Sequence, residues 1–89
     1  MLRDVIFVKP LAEQRLHIRF DNGVEGAIDI AALVDFQGVF EPLRHLDFFR
    51  EVTVHPELRV VCWPNGADLD SDVLYSEIIG APLPQGEIV

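Results

Sequence analysis

Asp68, Asp70 and Asp72, alternating through Asp68-Leu69-Asp70-Ser71-Asp72, come nearest in type and spacing to a chemical site in this 89-residue chain. Acids at the first, third and fifth positions open a calcium-binding loop, where their oxygens coordinate the ion. Such a loop also needs glycine sixth and glutamate twelfth, where this chain has Val73 and Ile79. The competing reading is structural. Acids just before and within a helix's first turn are favoured by its dipole by about 0.3–1 kcal/mol each, and one of them caps a backbone amide. The sequence therefore assigns no metal site and no cofactor.

The other reactive residue types are scattered. His17, His45 and His55 lack the spacing of a metal pair, and Cys62 is the only cysteine, so neither a zinc set nor an internal disulfide is expected. Cys62 follows Val60-Val61 and reads as a strand residue. Ser71, Ser76, Thr53 and Cys62 are the available nucleophiles, and none sits in a nucleophile elbow or beside a recognisable base. There is no glycine-rich phosphate loop. These absences point away from an enzyme and name no catalytic residue. The densest group of aromatic and polar residues is Trp63, Asn65, Asp68, Asp70 and Tyr75, read here as a candidate interaction patch. Tryptophan and tyrosine dominate binding hot spots, although the same pair also serves to pack a helix onto a strand end.

The elements that must position these residues follow from pattern. Leu2–Lys9 is β-branched and aromatic with Val5, Ile6, Phe7 and Val8 apolar on both faces, which predicts an interior strand closed by Pro10. Arg15–Phe20 alternates polar and apolar, and Asp21-Asn22-Gly23 follows as a hairpin signal. A two-residue turn would set Phe20 against Glu25 and Leu16 against Asp29. A three-residue loop with left-handed Gly23 instead pairs Phe20 with Val24, Leu16 with Ile28, Arg19 with Glu25 and Arg15 with Asp29, so that register is expected. The basic stripe Arg15, His17, Arg19 then faces acids across the hairpin.

Asp29 is placed to cap a short helix over Ile30–Val34, with Gly38 ending that excursion. Phe40, Leu43, Leu46 and Phe49, spaced by three, predict a turn and a short helix capping the sheet. A second hairpin is expected from Val52–Val54 and Leu58–Trp63, joined through His55-Pro56-Glu57. Pro64-Asn65-Gly66 reads as a turn, and Ala67–Ile79 as a loop leading into a helix capped by Asp70 or Ser71, with Val73, Leu74 and Ile78 inward. The fold class predicted is α+β: a small, mostly antiparallel sheet of about five strands, made of two hairpins plus an N-terminal strand, with two or three short helices. Residues 1–79 form one domain, and residues 80–89, with two prolines and two glycines, form an extended tail.

A chain of this length buries only about 60–65% of its unfolded surface, enough for one core. The net charge is −8, and it is uneven: residues 1–45 hold five basic and seven acidic residues, residues 46–89 two and eight. With Lys9 the only lysine, a nucleic-acid partner is not expected, because phosphate binding requires clustered cations. A basic protein suits the charge better. No apolar run is long enough to span a bilayer, and Asp4 stands where a secretory signal is basic, so the expected location is cytoplasmic. An uncovered edge strand, or the tail ending Glu87-Ile88-Val89, offers a route to a homodimer.

The order of Phe20-Asp21-Asn22-Gly23, Asp29-Ile30, Val39-Phe40-Glu41-Pro42-Leu43, Phe49, Trp63-Pro64-Asn65-Gly66-Ala67-Asp68-Leu69 and Leu74-Tyr75 resembles the bacterial "domain of unknown function 2442" family. The resemblance covers about residues 1–79 and is most specific over Trp63–Leu69. It implies a small bacterial or phage-associated protein with no established catalytic residues. Some such proteins resemble toxin–antitoxin components encoded beside another small protein, and longer members append a helix-turn-helix domain; the sequence departs from that longer form by ending at Val89, so a direct transcriptional function is not expected. The expected function is a non-catalytic, antitoxin-like interaction module that binds a small, basic partner protein. A small-molecule or metal-binding regulatory domain is the first alternative, and an enzyme with an unrecognised site the second.

Overall fold

A computed structural model describes residues 4–80. The chain runs β1 (Val5–Pro10), β2 (Arg15–Phe20), β3 (Glu25–Asp29), α1 (Ile30–Leu33), a 3-10 helix (Gly38–Arg44), α2 (Leu46–Phe49), β4 (Thr53–Val54), β5 (Val61–Cys62) and α3 (Ser71–Ile79). The fold is α+β, but the strands do not form one sheet: β1-β2-β3 make one antiparallel sheet and β4-β5 a second.

The β2–β3 hairpin has the expected register. Leu16 faces Ile28, Arg19 faces Glu25 and Arg15 faces Asp29. Phe20 N–H donates to the Val24 carbonyl at 2.8 Å, and Gly23 sits at φ 90°, a left-handed conformation that glycine adopts at little cost. This register sends Leu16, Ile18 and Phe20 to one face, where all three are fully buried. Gly26 lies opposite Ile18 on that same face. A Cβ there would come within 3.0 Å of Ile78 Cγ2, so the missing side chain is what lets α3 lie against β3.

β1 departs from expectation. It is an edge strand, and a register shift between Val5 and Phe7 turns Ile6 and Phe7 outward while Val5 stays buried. The apolar run that suggested an interior strand contains a bulge, which period-2 counting does not reveal.

The second hairpin is also shorter than expected. His55 Nδ1 accepts from the Glu57 and Leu58 amides at 3.1 and 3.0 Å, and Arg59 takes a left-handed φ of 56°. That tight loop removes Leu58–Val60 from the strand and leaves β5 with two residues. The Val5 N–H bond to the Arg59 carbonyl, 2.9 Å, joins the two sheets.

Asp29 caps α1, its Oδ1 accepting from Ala31 N–H at 3.1 Å. Gly38 begins the 3-10 helix instead of ending the excursion. Leu43 and Phe49 from the following segment are buried and Phe40 partly so, whereas Leu46, expected on the core, is exposed. Residues 81–89, most of the expected tail and any dimer contact through it, lie outside the described residues.

Candidate functional site: an acidic ridge between two apolar clefts

After β5 the chain turns back on itself. Gly66 N–H bonds the Trp63 carbonyl at 3.1 Å, Asn65 Oδ1 accepts from Ala67 N–H at 3.2 Å, and Gly66 sits at φ 93°. Asn65 Nδ2 also donates to the Val39 carbonyl at 2.8 Å, tying the turn to the 3-10 helix. Beyond the turn, residues 67–69 run antiparallel to residues 61–63: Trp63 N–H reaches the Ala67 carbonyl, Leu69 N–H the Val61 carbonyl, and Cys62 faces Asp68.

Extended backbone alternates its side chains, and this explains the acid spacing. Ala67, Leu69 and Ser71 point inward and are buried, while Asp68 and Asp70 point to solvent. Asp70 is also the N-cap of α3, its Oδ1 accepting from Asp72 N–H at 2.8 Å.

Asp68, Leu69 and Asp70 therefore form a ridge, with an open cleft on each side. The larger, about 430 Å³, is lined by Leu58, Val60 and Ser71 together with the ridge. The smaller, about 250 Å³, is lined by Leu33, Val34, Phe40, Val73 and Leu74 with the same ridge. Both have apolar walls with carboxylates on the rim, the form of a site that grips an aliphatic or aromatic group flanked by positive charge. Ser71 Oγ, at the foot of the ridge, is buried with no hydrogen-bond partner.

The structure divides the predicted patch. Asp68 and Asp70 stand together on the ridge, and Asn65 is exposed one turn away with its side chain committed to the turn. Trp63 offers no surface to a partner. It is 3% exposed, packs on Phe49 at a ring distance of 5.8 Å, and donates its indole N–H to the Phe49 carbonyl at 2.9 Å. This is the packing role that a large ring with one polar handle takes when it can be enclosed. Tyr75 is half-buried edge-on to Phe20, ring centroids 5.1 Å apart, and its hydroxyl accepts from Asn22 Nδ2 at 3.0 Å. It pins α3 to the hairpin and does not line either cleft. The apolar walls, Leu58, Val60, Leu33, Val34 and Phe40, were not legible as site residues. Leu58 read as the first residue of a strand, and only its place in a loop of the structure, 63% exposed, makes it available.

The histidines remain apart. His17 bonds Glu25 through Nε2 at 2.8 Å, His55 organises its own turn, and His45 precedes α2. Among the described residues no three His, Cys, Asp or Glu side chains converge as a cation site would require. Glu25 titrates below the ordinary glutamate range, first through its hydrogen bond with His17 and then through the nearby Arg19 charge. No helix among the described residues is long and apolar enough to cross a membrane.

Residues 5–80 match the family described as "Protein of unknown function (DUF2442)", and the chain belongs to it. No curated protein and no solved structure matches the sequence.

Proposed function

We propose that this member of the family is a protein-interaction module which receives a basic, apolar-anchored segment of another small protein at the Asp68–Asp70 ridge, in an antitoxin-like manner. The observation that carries the reading is the pairing of exposed carboxylates with apolar clefts on both sides of one strand-like segment. The division of labour follows from magnitudes. An apolar side chain fully buried in a cleft contributes about 1.5–3 kcal/mol, whereas an exposed charge pair at the rim contributes about 0.2–1 kcal/mol. The clefts set how long the partner stays. The acids set how fast it arrives and how strongly salt weakens the complex.

The test begins with an affinity pull-down of the tagged chain at about 0.15 M salt, where the screening length is about 8 Å. The captured protein is then titrated against two variants. Asp68→Asn with Asp70→Asn keeps the helix cap, since asparagine caps as well as aspartate, and is expected to slow association and flatten the salt dependence. Leu58→Asp is expected to speed dissociation without loss of folding, because Leu58 is exposed. A partner whose binding ignores both variants does not use this site. If nothing is captured and divalent cations raise the melting temperature, the chain is a cation-binding regulatory domain instead.

A further inference from the structure

The two edges of the three-stranded sheet are treated differently. On β1 the outer edge is blunted by the register shift after Val5, by the Val5 N–H bond to Arg59, and by Lys9 and Pro10. Bulges, lysines and prolines are the devices that keep an edge from pairing with another chain. β3 has none of them: Glu25-Gly26-Ala27-Ile28-Asp29 contains no proline, lysine or bulge.

The hydrogen-bond alternation shows which groups that edge offers. Phe20 N–H bonds the Val24 carbonyl, so Val24, Gly26 and Ile28 direct their backbone groups toward β2. Glu25 and Ala27 direct theirs outward, and among the described residues no backbone partner meets them. On the solvent face of the same strand, exposed Ala27 lies between exposed Glu25 and Asp29.

Charge decides what fits. A second copy adding through this edge, antiparallel and centred on Ala27, would set Glu25 opposite Asp29 twice, and like charges directly opposite destabilise a strand pair. We infer that the β3 edge is a strand-addition site for an extended segment of a partner protein carrying Lys or Arg at two positions four residues apart, with a small residue midway. The midway residue meets Ala27, the cations meet Glu25 and Asp29, and the backbone supplies the bonds that Glu25 and Ala27 leave open. Glu25 has room for such a neighbour, because its Oε1 is held by His17 while Oε2 has only a 3.5 Å contact with Arg19. The site is distinct from the Asp68–Asp70 clefts and stands or falls apart from them.

The probe is the acetylated, amidated peptide Thr-Arg-Val-Ala-Val-Arg-Thr, titrated into the isotope-labelled protein. The expected result is movement of the Glu25 and Ala27 amide signals and at least tenfold slower hydrogen exchange at Ala27. A version N-methylated at the central alanine and both arginines keeps the charge and loses the edge bonds, so it should bind at least tenfold more weakly. A version with glutamates for arginines should not bind. Asp68→Asn with Asp70→Asn should leave the titration unchanged. Equal binding of the N-methylated peptide, signal movement confined to Asp68–Asp70, or no movement at millimolar peptide would each overturn the inference, and only the second would favour the cleft site in its place.

Discussion

Gly26→Ala tests the contact that places α3, and with it Asp70, Val73 and Leu74 of the site. The new Cβ would stand 3.0 Å from Ile78 Cγ2 and 3.5 Å from Cγ1. Both atoms are attached directly to Cβ of a β-branched residue whose χ1 is stiff, so the side chain cannot swing clear and helix or sheet must move. Overpacking of this kind costs about 1–3 kcal/mol. Against it, replacing glycine restricts the unfolded chain and contributes about 0.4–1 kcal/mol of stability. At mid-range, a cost of about 2 kcal/mol against a gain of about 0.7 kcal/mol leaves a net loss of about 1.3 kcal/mol. In a domain of this size each 1 kcal/mol lowers Tm by about 4–8 °C. Thermal and urea unfolding followed by circular dichroism will read the change. Ile78→Ala is destabilising alone because Ile78 packs against the core, but the double variant removes the clash and should lose at least about 0.5 kcal/mol less than the two single losses added. A Gly26→Ala protein as stable as the parent, or strictly additive losses, would refute the reasoning.

Three further perturbations probe the site's supports. Trp63→Phe removes the indole bond to the Phe49 carbonyl, which keeps only the longer 3.3 Å bond from Val52 N–H, and shrinks the core, so the urea midpoint should fall by an equivalent of about 1–3 kcal/mol, followed by far-ultraviolet dichroism because no other tryptophan remains. Ser71→Ala removes a buried hydroxyl that has no partner and should raise stability by about 1 kcal/mol; a loss would show that the hydroxyl is bonded in solution. Glu25→Gln tests the hairpin's charge pairing through pH. The folded carboxyl titrates below its unfolded value, so its contribution is present above about pH 4.3 and lost as pH falls through the folded pKa. The parent's unfolding midpoint should therefore drop more steeply than the variant's below that pH, and the same slope in both would count against the pairing.

Local chemistry with a single consistent solution was readable from sequence. Strict alternation over Arg15–Phe20 and a glycine at the third loop position left one register in which every cross-strand pair made sense, and the structure adopts it. The cap at Asp29 was equally local, and at the last helix the sequence offered Asp70 or Ser71, of which the structure uses Asp70. Features that depend on distant partners were not readable. Nothing near Ile6 and Phe7 announces the bulge, because it is set by how β1 meets both β2 and the Arg59 carbonyl. The loss of Leu58–Val60 from the second hairpin is local but was equally unannounced: His55 bonds the amides two and three residues on through its ring, a turn that the strand propensity of the following residues hides. The site was half visible: its acids follow from spacing, while its apolar walls come from four separate segments that only folding brings together.

The same period of two governs both surfaces and explains why they are acidic. In Asp68-Leu69-Asp70 and in Glu25-Gly26-Ala27-Ile28-Asp29, the inward positions are occupied by what the core needs, leaving every second residue to the solvent. Where that outward set is acidic, pairing with a second copy brings carboxylates together, and pairing with a basic segment neutralises them. Charge of this sign can therefore be added without touching the core, and under the proposed reading it would discriminate through repulsion of like chains as much as through attraction of a partner. Salt separates the two effects: raising ionic strength from about 0.1 to 1 M shortens the screening length from about 10 to 3 Å. Partner binding should weaken under that change while self-repulsion also fades. A chain monomeric at both ionic strengths would show that shape as well as charge keeps its copies apart; one that associates only at the higher would show that the acids alone do so.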